Sequence, residues 1–264
     1  MRDFTVEAYR QTLNAIKTAG VGVFGVAKWV GERPNCGILL RHDIDRKSQN
    51  ALRIAQLENE YKISSTYYFR TVKGVFQSDI IRRISDLGHE IGYHYEDLSL
   101  AGGDYDKAKE LFSKHLEQIR AVAKVETIAM HGRPFSAYDN RNLWKKFKFA
   151  DFGIVAEAFL SIDYSDVYYL TDTGRTWGQS KANIRDHVKN GLVADVRTTF
   201  ELALFIQKNT DKKIALVMHP ERWETRLLPW VEQRVVDAAA NIAKVLIGGF
   251  CRWNMAKQRK ECQA

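Results

Sequence analysis

Short apolar runs that stop abruptly on charged residues recur along this chain. Each is followed by a segment of helical period, and that alternation limits the fold more than any other feature. Cys36-Gly-Ile-Leu-Leu-Arg-His42 is one such run, and residues 47–60 follow it with Ala51, Ile54, Ala55 and Leu57 at helical spacing. Ser65-Thr-Tyr-Tyr-Phe-Arg70 is rich in β-formers, and 77–87 returns to a helix through Ile80, Ile81, Ile84 and Leu87. The pattern continues with strands at 89–95 and 126–131 and helices at 104–122 and 139–147. After a less regular middle come a helix at 198–208, the strand Ile214-Ala-Leu-Val-Met218 and a long helix, 229–262. An opening helix at 4–19 precedes all of these. Repeated strand–helix units predict an α/β fold on a parallel sheet, either barrel or open. In such folds ligands gather beyond the carboxyl ends of the strands.

Length and composition add limits. The 264 residues are 45% hydrophobic and 27% charged, with four prolines and no Ser/Gly-rich run, so a single domain over 1–264 is expected. A formal charge of +8 raises nucleic acid as a partner. The basic residues are scattered among 32 acids, however, without a nucleic-acid-binding signature, so no nucleic-acid partner is expected. Phosphorylated sugars, acidic glycans or anionic lipid would suit the same charge. No apolar stretch of about 18 residues is present, so no transmembrane segment is expected. The N-terminus lacks a secretory apolar core, and Cys36, Cys251 and Cys262 are too few and too scattered for a disulfide framework. Both features predict a cytoplasmic protein. A basic tail, Lys257-Gln-Arg-Lys260, leaves room for peripheral membrane contact.

Four of the strand candidates end on residues capable of acid–base work or metal ligation. The first ends at Asp43 and Asp45, the one near 89–94 at His94 with Glu96 beyond it, the one at 126–130 at His131-Gly-Arg-Pro134, and the one at 214–218 at His219-Pro-Glu221. Three of seven histidines thus sit at strand ends. One rim could hold carboxylates and imidazoles together, as a catalytic divalent metal requires. Asp43 and Asp45 also suit helix capping ahead of 47–60, which is the plainer alternative.

Arg41-His-Asp-Ile-Asp45, Gly88-His-Glu-Ile-Gly-Tyr-His94, Arg133-Pro134 and Val217-Met-His219 resemble the successive motifs of NodB-type polysaccharide deacetylases, carbohydrate esterase family 4. The likeness runs from about residue 38 to 220, and it is closer still to deacetylase-like proteins of bacterial O-antigen gene clusters, the WbmS-like branch. The resemblance implies a distorted (β/α) barrel of about seven parallel strands. It also implies metal-assisted removal of an acyl group from an amino sugar in bacterial surface polysaccharide biosynthesis. The implied cofactor is a divalent metal, Zn²⁺ first, with Co²⁺, Ni²⁺ or Mn²⁺ as alternatives. The implied partner is a nucleotide- or lipid-linked amino sugar or glycan precursor.

Two departures sharpen the expectation. The family's second ligand histidine, four residues after the first, is here Leu98, and the paired aspartates are separated by Ile44. The expected ligands are therefore Asp45, His94 and His131, with Glu96 as runner-up. His89 falls on the opposite strand face from His94 and is expected to be structural. Asp43 is the expected base, His219 the acid that protonates the departing amine, and Arg133 the group that keeps Asp43 ionised or neutralises the intermediate. Asp172, Arg175 and Trp177 are the expected substrate contacts, Trp177 by stacking on a sugar ring, although simple packing suits it nearly as well. Two other functions stay open: a catalytically silent deacetylase-like sugar-binding protein, and a hydrolase of a small non-sugar amide. Gly20-Val-Gly-Val-Phe-Gly25 matches a dinucleotide-binding string but follows a helix where that fold needs a strand, so it reads as a helix end.

Overall fold

Apolar strand residues here alternate between two environments, and this places the whole architecture. The computed structural model describes residues 2–133, 136–178, 183 and 185–261, with side chains of the last helix described up to Val245. In chain order the elements are α1 (Val6–Ala19), β1 (Val23–Phe24), α2 (Val26–Glu32), β2 (Gly37–Ile44), α3 (Ser48–Glu60), β3 (Thr66–Phe69) and α4 (Ser78–Asp86). Then follow β4 (Glu90–Tyr95), α5 (Asp97–Leu100), α6 (Tyr105–Arg120), β5 (Val125–Met130), β6 (Ala156–Glu157), β7 (Val167–Thr171), α7 (Thr199–Lys208), β8 (Lys213–Met218) and α8 (Leu227–Glu261). Short 3-10 helices cover Asn140–Lys145, Phe149–Phe152 and Pro220–Arg222.

Seven strands run in the order β6-β5-β4-β3-β2-β8-β7, and β1 adds to the first half of β2. Every pairing among them is parallel. The result is an open barrel of the expected α/β type, with no pairing between β6 and β7 among the described residues. Parallel order puts all carboxyl ends on one rim.

Along β2, Ile38, Leu40 and Ile44 join the large core beneath the helices, whereas Leu39 belongs to a smaller cluster with Tyr68, Ala129, Ala156, Val167 and Ala215. The period of two sends Arg41 and Asp43 to the same side as Leu39. A side chain at Gly92 would collide with the Tyr68 ring, so glycine is what lets that ring lie across β4. His42, on the helix side, meets the buried Glu58 of α3 at 2.7 Å.

Most elements fall where the sequence places them. Residues 139–147 instead form a 3-10 turn, because the two buried side chains, Asn140 and Leu143, are three apart and align at three residues per turn. The strand β7 is unforeseen: it runs up to Asp172, the first of the expected substrate contacts. Gly20 does end α1 in the left-handed conformation, at φ 65°. Among the described residues no helix is long and apolar enough to cross a membrane. Pro134 lies outside the described residues, as do the side chains of Cys251, Cys262 and the tail 257–260.

Candidate active site

Parallel strands deliver their terminal residues to one cleft, lined by Asp43, Asp45, His94, His131, Arg133 and His219 among others. On one wall, Asp45 Oδ1 stands 3.3 Å from His94 Nε2 and 3.4 Å from His131 Nε2. The far nitrogens of both rings are engaged elsewhere. His94 Nδ1–H donates to the Ala129 carbonyl at 3.0 Å, and His131 Nδ1–H donates to Glu96 Oε2 at 2.8 Å. Those donations fix the tautomers and turn both Nε2 atoms toward Asp45. Asp45 Oδ1 itself is buried and accepts no hydrogen bond. Nor does Asp45 cap α3, since Lys47 occupies the cap position and makes no side-chain hydrogen bond to the helix amides.

The electrostatics agree with an acceptor cluster that attracts a cation. Burial works to raise the Asp45 carboxyl, but His131, His94 and His219 outweigh it and hold it well below the usual carboxylate range. Burial works to lower His94, yet Asp43 and Asp45 raise it above the usual histidine value. His131 goes the other way, lowered mainly by burial.

Two of the trio's spacings are those of donors that share a metal. Donor atoms at roughly 2.0–2.1 Å from a shared ion stand about 3.3–3.4 Å apart when tetrahedrally arranged, which is the spacing of both imidazoles from Asp45 Oδ1. As the side chains stand, no group of three or more His, Cys, Asp or Glu among the described residues could hold a metal ion. The orphaned oxygen and the two oriented imidazoles are nonetheless donors of the kind a divalent ion takes.

Glu96, the runner-up ligand, is committed otherwise. Arg70 grips its Oε1 through Nε at 3.1 Å and Nη2 at 2.7 Å, while Oε2 receives His131. Burial acts to raise it, but His131 and Arg70 hold it at about 2. It orients a ring and does not face the cleft as a free ligand. Leu98, at the position of the family's second histidine, is buried in the main core. His131, whose ring lies 5.2 Å from that of His94, occupies the neighbouring place.

The three catalytic candidates each have a charged partner. Asp43 Oδ2 receives Arg41 Nη2 at 3.3 Å, and Oδ1 is buried without a hydrogen bond. Arg41 lies 4.3 Å over the Phe159 ring, and although burial opposes its charge, Asp43 raises its pKa. Of the two roles expected of Arg133, holding Asp43 falls to Arg41, since Arg133 stands 3.5 Å from Glu96; it still lines the cleft, where neutralising an intermediate is its other expected role. Across the cleft, His219 Nδ1–H donates to Asp172 Oδ1 at 2.6 Å. Burial and Arg222 work against its positive charge, but Asp172 prevails and raises His219 to about 9.

The three expected substrate contacts lie elsewhere. Asp172 is fully buried and accepts from the His219 amide, the His219 ring, Arg222 and Trp223, which leaves it to position His219. Arg175 donates to Asp237 at 2.9 Å and lies over Phe4 and Trp230. Trp177 is buried against Phe4 and Trp223, and its indole N–H reaches Thr199. None of the three lines the cleft. Asp172 directly follows β7, which ends beside β8 and so sets it against His219. His89 is structural as expected, with Nε2 on the Ala55 carbonyl at 3.0 Å.

Sequence reasoning also missed Asp186 and Lys244, which line the cleft without any motif to mark them. Asp186 accepts from Tyr169, Thr171 and Thr173; burial opposes its ionisation, but His219, Arg41 and these hydroxyls hold it at about 2.

No family model matches the sequence, and no curated protein matches it significantly. Among solved structures, the chain is similar to a Mycobacterium smegmatis protein assigned provisionally as a polysaccharide deacetylase. Identity is 16%, the TM-score 0.46, and the alignment covers 82% of this chain and 84% of that one. It is also similar to Bacillus subtilis PdaA, a family 4 carbohydrate esterase, at 16% identity and a TM-score of 0.42, over 77% and 85% of the two chains.

Proposed function

We propose that this chain is a metal-dependent amide hydrolase that removes the acyl group from an acylated amino sugar, as a cytoplasmic step of bacterial surface polysaccharide biosynthesis. The observation that carries the reading is the convergence of Asp45, His94 and His131 beside Asp43, with a charged His219 opposite. The motif likeness to carbohydrate esterases names the substrate class. The exposed free thiol of Cys36 suits a reducing compartment.

Asp45, His94 and His131 would hold the metal, with Zn²⁺ first and Co²⁺, Ni²⁺ or Mn²⁺ as alternatives. When bound, the metal would acidify water and polarise the acyl carbonyl. The chain's own residues supply the proton transfers. Asp43 presents the unengaged Oδ1 to take a proton from water, and Arg41 holds that carboxylate in place. His219 carries a proton on the nitrogen that Asp172 does not use and gives it to the departing amine.

Purified protein should release amine from N-acetylated amino sugars, free or nucleotide-linked, and contain about one divalent ion per chain. A protein that takes up no divalent metal on reconstitution and releases no amine would overturn the reading in favour of a silent sugar-binding protein. Faster turnover of simple amides than of any sugar would favour a small-amide hydrolase.

A further inference from the structure

Asp43, Asp45 and Asp186 line the cleft, yet among the described residues not every cationic side chain around it has an ion-pair partner. Arg41 is matched by Asp43, and Arg222 by Asp172, which it meets at 2.6 Å. Three other cations line the same cavity: Arg133, Arg185 and Lys244. Among the described residues Arg185 donates only to carbonyl oxygens, those of Gly132, Arg133 and Ser136 at 2.6–2.9 Å, and so keeps its charge from any carboxylate there. Arg133 lies 3.5 Å from a Glu96 already gripped by Arg70 and His131. Lys244 comes from α8, the opposite side, and among the described residues its ammonium has neither a hydrogen bond nor an ion pair. Burial and Arg222 push it below the usual lysine value, while Asp45, Asp186 and Asp237 act the other way.

The helix that delivers Lys244 is anchored to the site. Asp237 of α8 accepts Arg175 at 2.9 Å and lies 3.9 Å from Arg222, and Asn241 donates to the Gly174 carbonyl at 3.3 Å. Lys244 is therefore held at the cleft by contacts one and two turns before it. A neutral sugar would leave Lys244 and Arg185 without an ion-pair partner, and Arg133 on a Glu96 that Arg70 and His131 already share, which costs binding energy. An anionic substituent would complete them.

We propose that Arg133, Arg185 and Lys244 form a subsite for an anionic group, phosphate or carboxylate, carried on the substrate beside the acylated amine. This rests on the amide-hydrolase reading for its substrate, but its test separates from that reading. Equilibrium binding of N-acetylglucosamine 1-phosphate, N-acetylglucosaminuronate and neutral N-acetylglucosamine to the metal-loaded protein would be measured alongside amine release from each. At least one anionic sugar is expected to bind tenfold or more tightly than the neutral one, and the better of the two identifies the group. Lys244→Gln and Arg133→Gln should each cut the anionic-to-neutral ratio several-fold, in binding and in kcat/KM, and raised salt should narrow the wild-type ratio. Discrimination in binding with no amine release would sustain the subsite and overturn the hydrolase. Amine release with equal affinity for charged and neutral sugars, or a ratio unmoved by both variants, would overturn the subsite and leave the hydrolase standing.

Discussion

Asp172 Oδ1 and His219 Nδ1 are 2.6 Å apart, each one residue beyond the end of adjacent parallel strands, β7 and β8. The pair is buried, and Asp172 holds the imidazole charged up to about pH 9. The sign for catalysis follows: a raised pKa keeps the acid protonated below it, so amine release should decline only as pH climbs through about 9. Asp172→Asn removes the main raising influence and should bring the alkaline limb of kcat/KM down toward the ordinary histidine value of 6.5. A pH–rate profile of the two proteins decides it; an unmoved limb would remove His219 as the acid.

Metal retention should follow the donor set. Asp45→Asn and His131→Gln are each expected to lose stoichiometric metal. Glu96→Gln, which only loosens the His131 ring, should weaken affinity by roughly 10–100-fold. Competition with a metal-sensitive dye measures all three. Equal loss in Glu96→Gln and His131→Gln would point to Glu96 as a ligand in its own right.

Arg41 and Asp43 are a buried ion pair, with side-chain exposures of 1% and 5%. Removing one partner strands the other's charge, so Arg41→Met should destabilise the fold by about 3 kcal/mol. The double variant Arg41→Met with Asp43→Asn should regain part of that loss. Denaturant unfolding of the single and double variants gives the comparison, and simple additivity would rule out the pairing as a stabilising contact.

Glu58 predicts an acid limit to stability. Burial works to raise its carboxyl, but His42, His89 and Ser65 outweigh it and hold it at about 2 against an ordinary 4.5. A depressed carboxylate stabilises the fold above the unfolded value and loses that contribution as pH falls. About 3 kcal/mol should therefore drain away between pH 4.5 and 2. Glu58→Gln should be destabilised at pH 7 and flatten that part of the profile, as read by urea midpoints across pH.

The legibility of this chain differs by level. Strand–helix alternation is local, so β2, β3, β4, β5 and β8 and most helices are readable from period and composition. The gathering of Asp43, Asp45, His94, His131 and His219 follows from it, because parallel strands share a rim. The short β7 is not readable. Its five residues, Val167-Tyr-Tyr-Leu-Thr171, gain their strand character from ladder bonds to β8 some 46 residues away in sequence, and no local pattern encodes that.

Partner choice at the rim is the part that only the folded chain decides. Sequence spacing puts Arg133 near the site but cannot say that it stands 3.5 Å from Glu96 while Arg41, two residues from Asp43 and on the same strand face, takes the carboxylate. Nor can it say that Asp172 and Trp177 are buried, since burial comes from neighbours far along the chain. Lys244 is the extreme case: an ordinary helical lysine in sequence, carried to the cleft by the docking of α8 on Arg175 and Gly174. Residue type and period determine which groups can do chemistry and which end of the sheet they reach. Long-range packing determines which charge each of them meets.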